Sequence, residues 1–261
     1  MIMTLEEYIR NPMGKNNAVY SQRELFKEIY TKKFDAVIAR EAGTINYRLY
    51  KDSDRRYLIH IKIPSELVSK FYYDVIIEFT TNDATIELEN SLKNYEVKFF
   101  SNDPAFVFTY AYSFAQNKLF IDDLKPKMSK RALKDGADIR NPKNVVGYVK
   151  SLYFAYLFIK LRGLDKKPIW AAEGVKYVTR NLLAFVEDAD KKVEDRQIKG
   201  EQQEKENKAR RNPKKGNVSD TGSNAGKRAT KNVSHTAVVN KKTSVIKTIK
   251  TTKHTKTTNR K

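Results

Sequence analysis

NPKNVVGYVKSLYFAYLFIKLRG, residues 141–163, is the most apolar long stretch of a 261-residue chain and decides how the rest is arranged. Its ends carry helix signals: Asn141 as N-cap, Pro142 at the first helical position, and Gly163 at the left-handed position that closes a helix. Val145, Val149, Leu152, Tyr156 and Ile159 recur at alternating steps of four and three, with Tyr148 beside them, and therefore share one face. Phe154, Leu157 and Phe158 fall around the other side, so this helix is expected to be covered on more than one flank. Lys150 and Lys160 bracket an uncharged run far short of the roughly 20 apolar residues that a membrane span needs. The stretch is thus expected to be a core helix, and no membrane span is expected.

Upstream lies its natural packing partner, SNDPAFVFTYAYSFAQ, with Ser101 or Asp103 as cap, Pro104 in the first turn, and Phe106, Tyr110 and Phe114 at four-residue spacing. The polar FIDDLKPKMSKRALKDGADIR between the two reads as a loop with one helical turn, and its basic residues from Lys125 to Lys134 face few acids. Further upstream the period becomes two. Ile45, Tyr47 and Leu49 alternate with polar neighbours, KDSD supplies a turn, and Tyr57, Ile59, Ile61 and Ile63 alternate up to Pro64, which makes a hairpin. YYDVIIEFTT from about Tyr72 and YEVKFF from Tyr95 supply a third and a fourth strand; ATIELENSL between them fits either an edge strand or a short helix.

Two capping boxes open the chain. Thr4 with Glu7 starts a short helix that Asn11-Pro12 should stop, and Ser21 with Glu24 starts a second carrying Leu25, Ile29, Phe34 and Ile38, ending near Gly43. NPMGKNNAV is a loop. Downstream, a final helix beginning near Ala171 or Gly174 puts Val178, Leu182, Phe185 and Ala189 on one face, then loses its apolar residues. The fold class is α+β: an antiparallel sheet of about four strands packed against aromatic-rich helices. The expected division is a globular domain over 1–199 and a disordered basic tail over 200–261.

Charge separates the two parts. From residue 201 onward there are 17 Lys and Arg against four acids, a net charge of +13, which leaves +7 for the first 200 residues. No aromatic follows Phe185, so the tail cannot stack on bases. It can neutralise phosphates through Lys208, Arg210, Arg211, Lys214, Lys215, Lys227, Arg228 and Lys231. Lys241, Lys242, Lys247, Lys250, Lys253, Lys256, Arg260 and Lys261 continue the series to the end. Rival uses are solubilisation, an anionic lipid or acidic protein partner, and nuclear import through ARRNPKK. The stretch VVNKKTSVIKTIKTT alternates weakly and offers a strand to a partner.

The absence of cysteine removes disulfides, thiolate zinc sites and cysteine nucleophiles together. MIMTLEEYIR has neither a basic n-region nor an apolar h-region, so secretion by a signal peptide is not expected. The sharpest enzymatic pattern is that of a PD-(D/E)xK nuclease, with Asp74 on the third strand and Glu96 and Lys98 on the fourth holding a divalent ion. A half-buried strand with a charged outer face explains the same letters. His60, the only histidine before the tail, sits on the same strand face as Lys62 and reads as a polar-face residue. The acidic pairs Asp52 with Asp54, Asp122 with Asp123, and Asp188 with Asp190 lack calcium-loop spacing, and Lys15 beside Gly14 lacks the Walker pattern. Neither a metal nor a cofactor is expected.

TLEEYIRNPMGKNNAV, FFSNDPAFVFTYAY and NPKNVVGYVKSLYFAY resemble segments of uncharacterised proteins of tailed bacteriophages that infect low-GC Gram-positive hosts. The resemblance covers roughly residues 1–165 and carries no functional residues across. It implies a virion or assembly component that works in the host cytoplasm during assembly and meets other phage structural proteins. The resulting expectation is a non-enzymatic structural or assembly protein that touches nucleic acid through its tail, with a metal-dependent nuclease or a host-type nucleic-acid-binding protein as alternatives.

Overall fold

The computed structural model describes residues 3–10, 20–40, 45–137, 140–173 and 179–211, without the side chains at 20–26, 179–181 and 211. The chain divides into a unit spanning Met1–Pro213, to which all of these belong, and a unit Lys214–Lys261 that lies outside the described residues.

At the centre are four antiparallel strands in sequence order, β1 (Tyr47–Ser53), β2 (Arg56–Pro64), β3 (Tyr72–Thr80) and β4 (Glu96–Ser101). Asp54 and Arg55 make the first turn, slightly later than the KDSD reading. Because side chains alternate across a strand, register defines two faces. One carries Tyr57, Ile59, Ile61, Val75, Ile77, Phe79, Val97 and Phe99, all buried. The other carries Arg48, His60, Lys62, Asp74, Glu78, Lys98 and Phe100.

The apolar face is covered by helices. α1 (Leu5–Arg10) opens with the Thr4/Glu7 capping box, in which Thr4 N–H donates to Glu7 Oε2 at 2.7 Å and Glu7 N–H to Thr4 Oγ1 at 3.3 Å. It sets Tyr8 between Phe99 and Phe114, with ring centroids 4.6 and 5.9 Å away. α2 (Tyr20–Arg40) buries Phe34 and Val37, leaves Ile29 exposed, and places Ser21 inside its first turn rather than before it. The outer edge of β4 is not left open: Val97 N–H donates to Met3 O, and Phe99 N–H to Leu119 O at 2.7 Å.

The core helix is shorter than its sequence signals. α6 runs Lys150–Arg162, and residues 141–149 are not helical, so Asn141 is not its cap and Pro142 is not its first residue. Buried Asn141 instead staples a loop: its Oδ1 accepts from Val145 N–H, and its Nδ2 donates to Val145 O and Thr109 O. Consecutive β-branched residues and Gly147 weaken helix formation there. Gly147 has a second role, since any Cβ at that position would collide with the Tyr110 ring. At the other end the expectation holds. Gly163 takes φ +64°, and Leu164 N–H reaches Ile159 O at 2.9 Å, which closes the helix. Ser151, Leu152, Tyr153, Phe154, Ala155, Phe158 and Ile159 are all buried, so α6 is covered on more than one flank. Among the described residues no helix is long and apolar enough to cross a membrane.

α3 (Ala84–Glu87), capped by Asp83, resolves the ATIELENSL ambiguity as a helix. Residues 104–116 form one helix with a π-helical turn at Phe106–Tyr110 before α4 (Ala111–Gln116), and Asp103 Oδ1 accepts from Ala105 N–H at its start. A 3₁₀ turn (Asp122–Lys127) and α5 (Lys130–Lys134) follow. The expected final helix is three: α7 (Lys167–Ala172), α8 (Thr179–Phe185) and α9 (Ala189–Arg211). α9 crosses the expected 199/200 boundary unbroken. Its first 15 residues pack on the β2–β3 connection, with Lys192 Nζ 4.5 Å from the Phe71 ring centroid, Gln203 Oε1 accepting from Ser69 N–H, and Gln203 Nε2 donating to Leu67 O. Beyond Gln203 every described side chain is exposed, so about eight residues, or about 12 Å of helix, project from the body.

Candidate functional site

Asp74, Glu96 and Lys98 all lie on the charged face, yet the register keeps them apart. Lys98 pairs with Glu78 and Glu96 with Thr80, four and six residues along β3 from Asp74, or about 13 and 20 Å. Lys98 Nζ is engaged 2.9 Å from Asp122. The nuclease arrangement expected from these three residues therefore does not form. Among the described residues no group of three or more His, Cys, Asp and Glu is placed to hold a metal.

Asp74 instead anchors a different constellation. Its side chain is fully buried, and Oδ1 lies 2.7 Å from His60 Nε2 and 2.9 Å from Lys62 Nζ. Oδ2 accepts from Asn102 Nδ2 at 2.9 Å and from the Glu187 N–H at 3.2 Å. Burial pushes its proton affinity up, but the His60 hydrogen bond and the Lys62 charge outweigh it and hold the carboxyl well below the usual range. All four partners are donors, so the site accepts only a group that is acceptor on both oxygens. Asp meets that requirement and Asn does not.

The elements explain the placement. Asp74 faces Lys62 directly across the β2–β3 ladder, and His60 is two residues from Lys62 on the same face. Asn102 follows the end of β4, where its Oδ1 also accepts from Asp74 N–H at 2.7 Å. Glu187 sits in the break between α8 and α9, and its own carboxylate takes Lys62 at 3.4 Å and Lys192 at 2.9 Å. The cluster thus ties the C-terminal helices to the sheet. His60 is only 2% exposed, not the solvated polar-face residue the strand pattern indicates, and the α8–α9 segment reaches this part of the face through the Glu187 N–H on Asp74 and the Glu187 carboxylate on Lys62.

A second cluster occupies the other end of the same face. Arg56 donates to Glu78 Oε2, to Asp52 Oδ2 at 2.9 Å and to Asp123 Oδ2 at 2.6 Å. Burial works against its charge, but Asp123 and Glu78 hold its proton more tightly than usual. No short motif marks this cluster: Asp52, Glu78 and Asp123 come from three separate segments, β1, β3 and the 3₁₀ turn, which only the tertiary fold brings to Arg56.

The expected nucleic-acid-binding residues divide in two. Lys208 and Arg210 lie exposed on the projecting end of α9, where Lys208 pairs with Glu204 at 2.7 Å, and Arg211 is the last residue of that helix. Those from Lys214 to Lys261 lie outside the described residues, as do VVNKKTSVIKTIKTT, Lys15 and the Asn11-Pro12 stop. On the body, the basic run near α5 is partly neutralised: Lys125 pairs with Asp122, Lys127 with Asp188 and, loosely, Arg131 with Asp135. Comparison with family models, with curated proteins and with solved structures found no match to this chain.

Proposed function

We propose that this protein is a non-enzymatic structural or assembly component of a tailed phage, whose α+β body makes protein contacts and whose basic C-terminal arm binds nucleic acid through its backbone. The observation that carries the reading is the concentration of 17 Lys and Arg in the last 61 residues without one aromatic. Such an arm releases counterions from phosphates and has no means of choosing bases. The projecting end of α9 supports it by carrying the first of these residues, Lys205, Lys208 and Arg210, clear of the body. The phage setting, in the host cytoplasm during assembly and then in the particle, rests on the resemblance of residues 1–165. Leu67, Leu88, Phe108 and Leu161, all exposed, are the body's apolar positions for protein partners.

The test is duplex-DNA binding across a salt series. An arm that engages about ten phosphates gives a log–log slope near −9. Removal of residues 212–261 should abolish most of that slope; binding that survives the truncation unchanged would sink the arm. Co-purification with particles tests the phage role, and a protein abundant in infected cells but missing from particles counts against a virion component.

A further inference from the structure

At the open end of the charged face lies a cleft of about 430 Å³ whose lining includes Tyr47, Arg48, His60, Lys62, Tyr72 and Phe185. That volume falls within the roughly 300–1,000 Å³ of small-molecule pockets. Two features separate it from an ordinary crease. The first is His60: the ring is 98% buried, its Nε2 is fixed on Asp74, and its Nδ1 has no hydrogen-bond partner among the described residues. Since an ionised Asp74 only accepts, Nε2 donates to it, and in the singly protonated ring that this bond requires at minimum, Nδ1 is an acceptor with no donor. Leaving such a buried atom unmatched is costly, which points to a donor that arrives with a ligand.

The second feature is the wall. Arg48 stands directly across the β1–β2 ladder from His60, so the two Cβ atoms are about 5 Å apart. Among the described residues no carboxylate pairs with Arg48; its guanidinium lies 3.9 Å from the centroid of the exposed Phe185 ring. Tyr47 and Tyr72 add further aromatic surface, while Lys62 on the same wall is already engaged by Asp74 and Glu187, which leaves Arg48 as the cation for an anionic group. An unneutralised Arg, several aromatic surfaces and an oriented imidazole acceptor match a ligand with an anionic group, a flat ring and a hydroxyl or amino donor.

We infer that this cleft binds a phosphorylated nucleoside, with the phosphate on Arg48, the base against Phe185 and the tyrosines, and a hydroxyl or amino group donating to His60 Nδ1. The ligand is either a free mononucleotide or the phosphorylated end of a strand. The inference does not rest on the basic arm, because binding by the arm is indifferent to Arg48.

The chain has three histidines, so the full-length His235→Gln/His254→Gln variant leaves His60 as its sole imidazole signal. The four ribonucleoside 5′-monophosphates are titrated into it, followed by calorimetry and by the ring ¹⁵N resonances. At least one should bind one-to-one and shift the Nδ1 resonance. Arg48→Ala and replacement of the nucleotide by its nucleoside should each weaken binding at least tenfold. Arg48 is exposed, and an unchanged urea midpoint verifies that the variant folds; Phe185→Ala is the second variant, with a loss of several-fold. A 5′-phosphorylated oligonucleotide that shifts Nδ1 when mononucleotides do not assigns the site to strand ends. If neither class of ligand moves the Nδ1 resonance, Nδ1 is satisfied by water alone and the inference fails. It fails equally if binding is untouched by Arg48→Ala.

Discussion

The two faces of the sheet are built from alternate residues of the same strands, yet they are held by different physics. Ile59 and Ile61 belong to a face closed by Tyr8, Phe34, Phe154 and Phe158, where buried apolar area is the stabilising quantity. His60 and Lys62, their immediate neighbours, belong to a face where Asp74, Glu187 and Lys192 exchange hydrogen bonds and charge. An apolar face tolerates any side chain of about the right shape. A charged face of this kind is selective for atoms, since one wrong donor leaves a buried group unmatched.

The largest expected effect tests that contrast with two small changes. Asp74→Asn alters hardly any volume, but it directs an amide N–H at a site whose four partners all donate. Breaking a buried charge pair in this way costs about 3–5 kcal/mol. Ile59→Val, which removes one methylene from the fully buried opposite face, should cost about 0.5–1.5 kcal/mol. Urea unfolding of both variants measures the difference. Equal losses would mean that Asp74 is merely packed.

Leu152→Ala comes next. Leu152 is wholly buried on α6, and its truncation should cost about 2–5 kcal/mol according to how far the aromatics around it collapse into the space. Repair by Leu152→Met to within about 1.5 kcal/mol would confirm that shape alone matters on this side.

Acid separates the faces without changing protein volume. Asp74 titrates near 3.8 when unfolded and lower when folded, so in acid the unfolded chain binds more protons. Its stabilising contribution is therefore complete above that value and is lost as pH falls through the folded one; Glu187, also lowered, acts in the same direction. Wild-type stability should drop as pH falls below about 4. Asp74→Asn should lack that part of the drop, whereas Ile59→Val should run parallel to wild type at every pH. A wild-type profile flat down to pH 2 would contradict the buried carboxylate.

This division also explains what could be read from the sequence. The four strands were legible because period-two alternation is written by the apolar face, and Gly163 was legible because the left-handed position favours glycine. The charged face was not. Asp74 was singled out, but with Glu96 and Lys98, because strand order suggests neighbours while register decides them; its actual partners His60, Asn102 and Glu187 lie 14, 28 and 113 positions away. His60 alternates like a solvated residue, and nothing local records that the α8–α9 segment folds over it. Asn141 misled for a related reason. An Asn before Pro is a sound helix start by propensity, but its amide satisfied three tertiary and loop hydrogen bonds instead, and the helix began nine residues later.

The smallest effect lies at the rim of the apolar face, where a local device meets the sheet. Thr4 caps α1 and at the same time bridges Glu96 of β4, so two explanations of its role compete. If the side chain acts only as a cap, Thr4→Ala costs about 1 kcal/mol and Thr4→Ser restores nearly all of it, because the serine hydroxyl reaches the same Glu7 N–H. The bridge to β4 is made by backbone, which alanine leaves intact. A loss well above 2 kcal/mol, unrelieved by serine, would show that the threonine methyl packs the edge of the sheet, and the apolar face would then extend one residue further than Tyr8 and Phe99 define it.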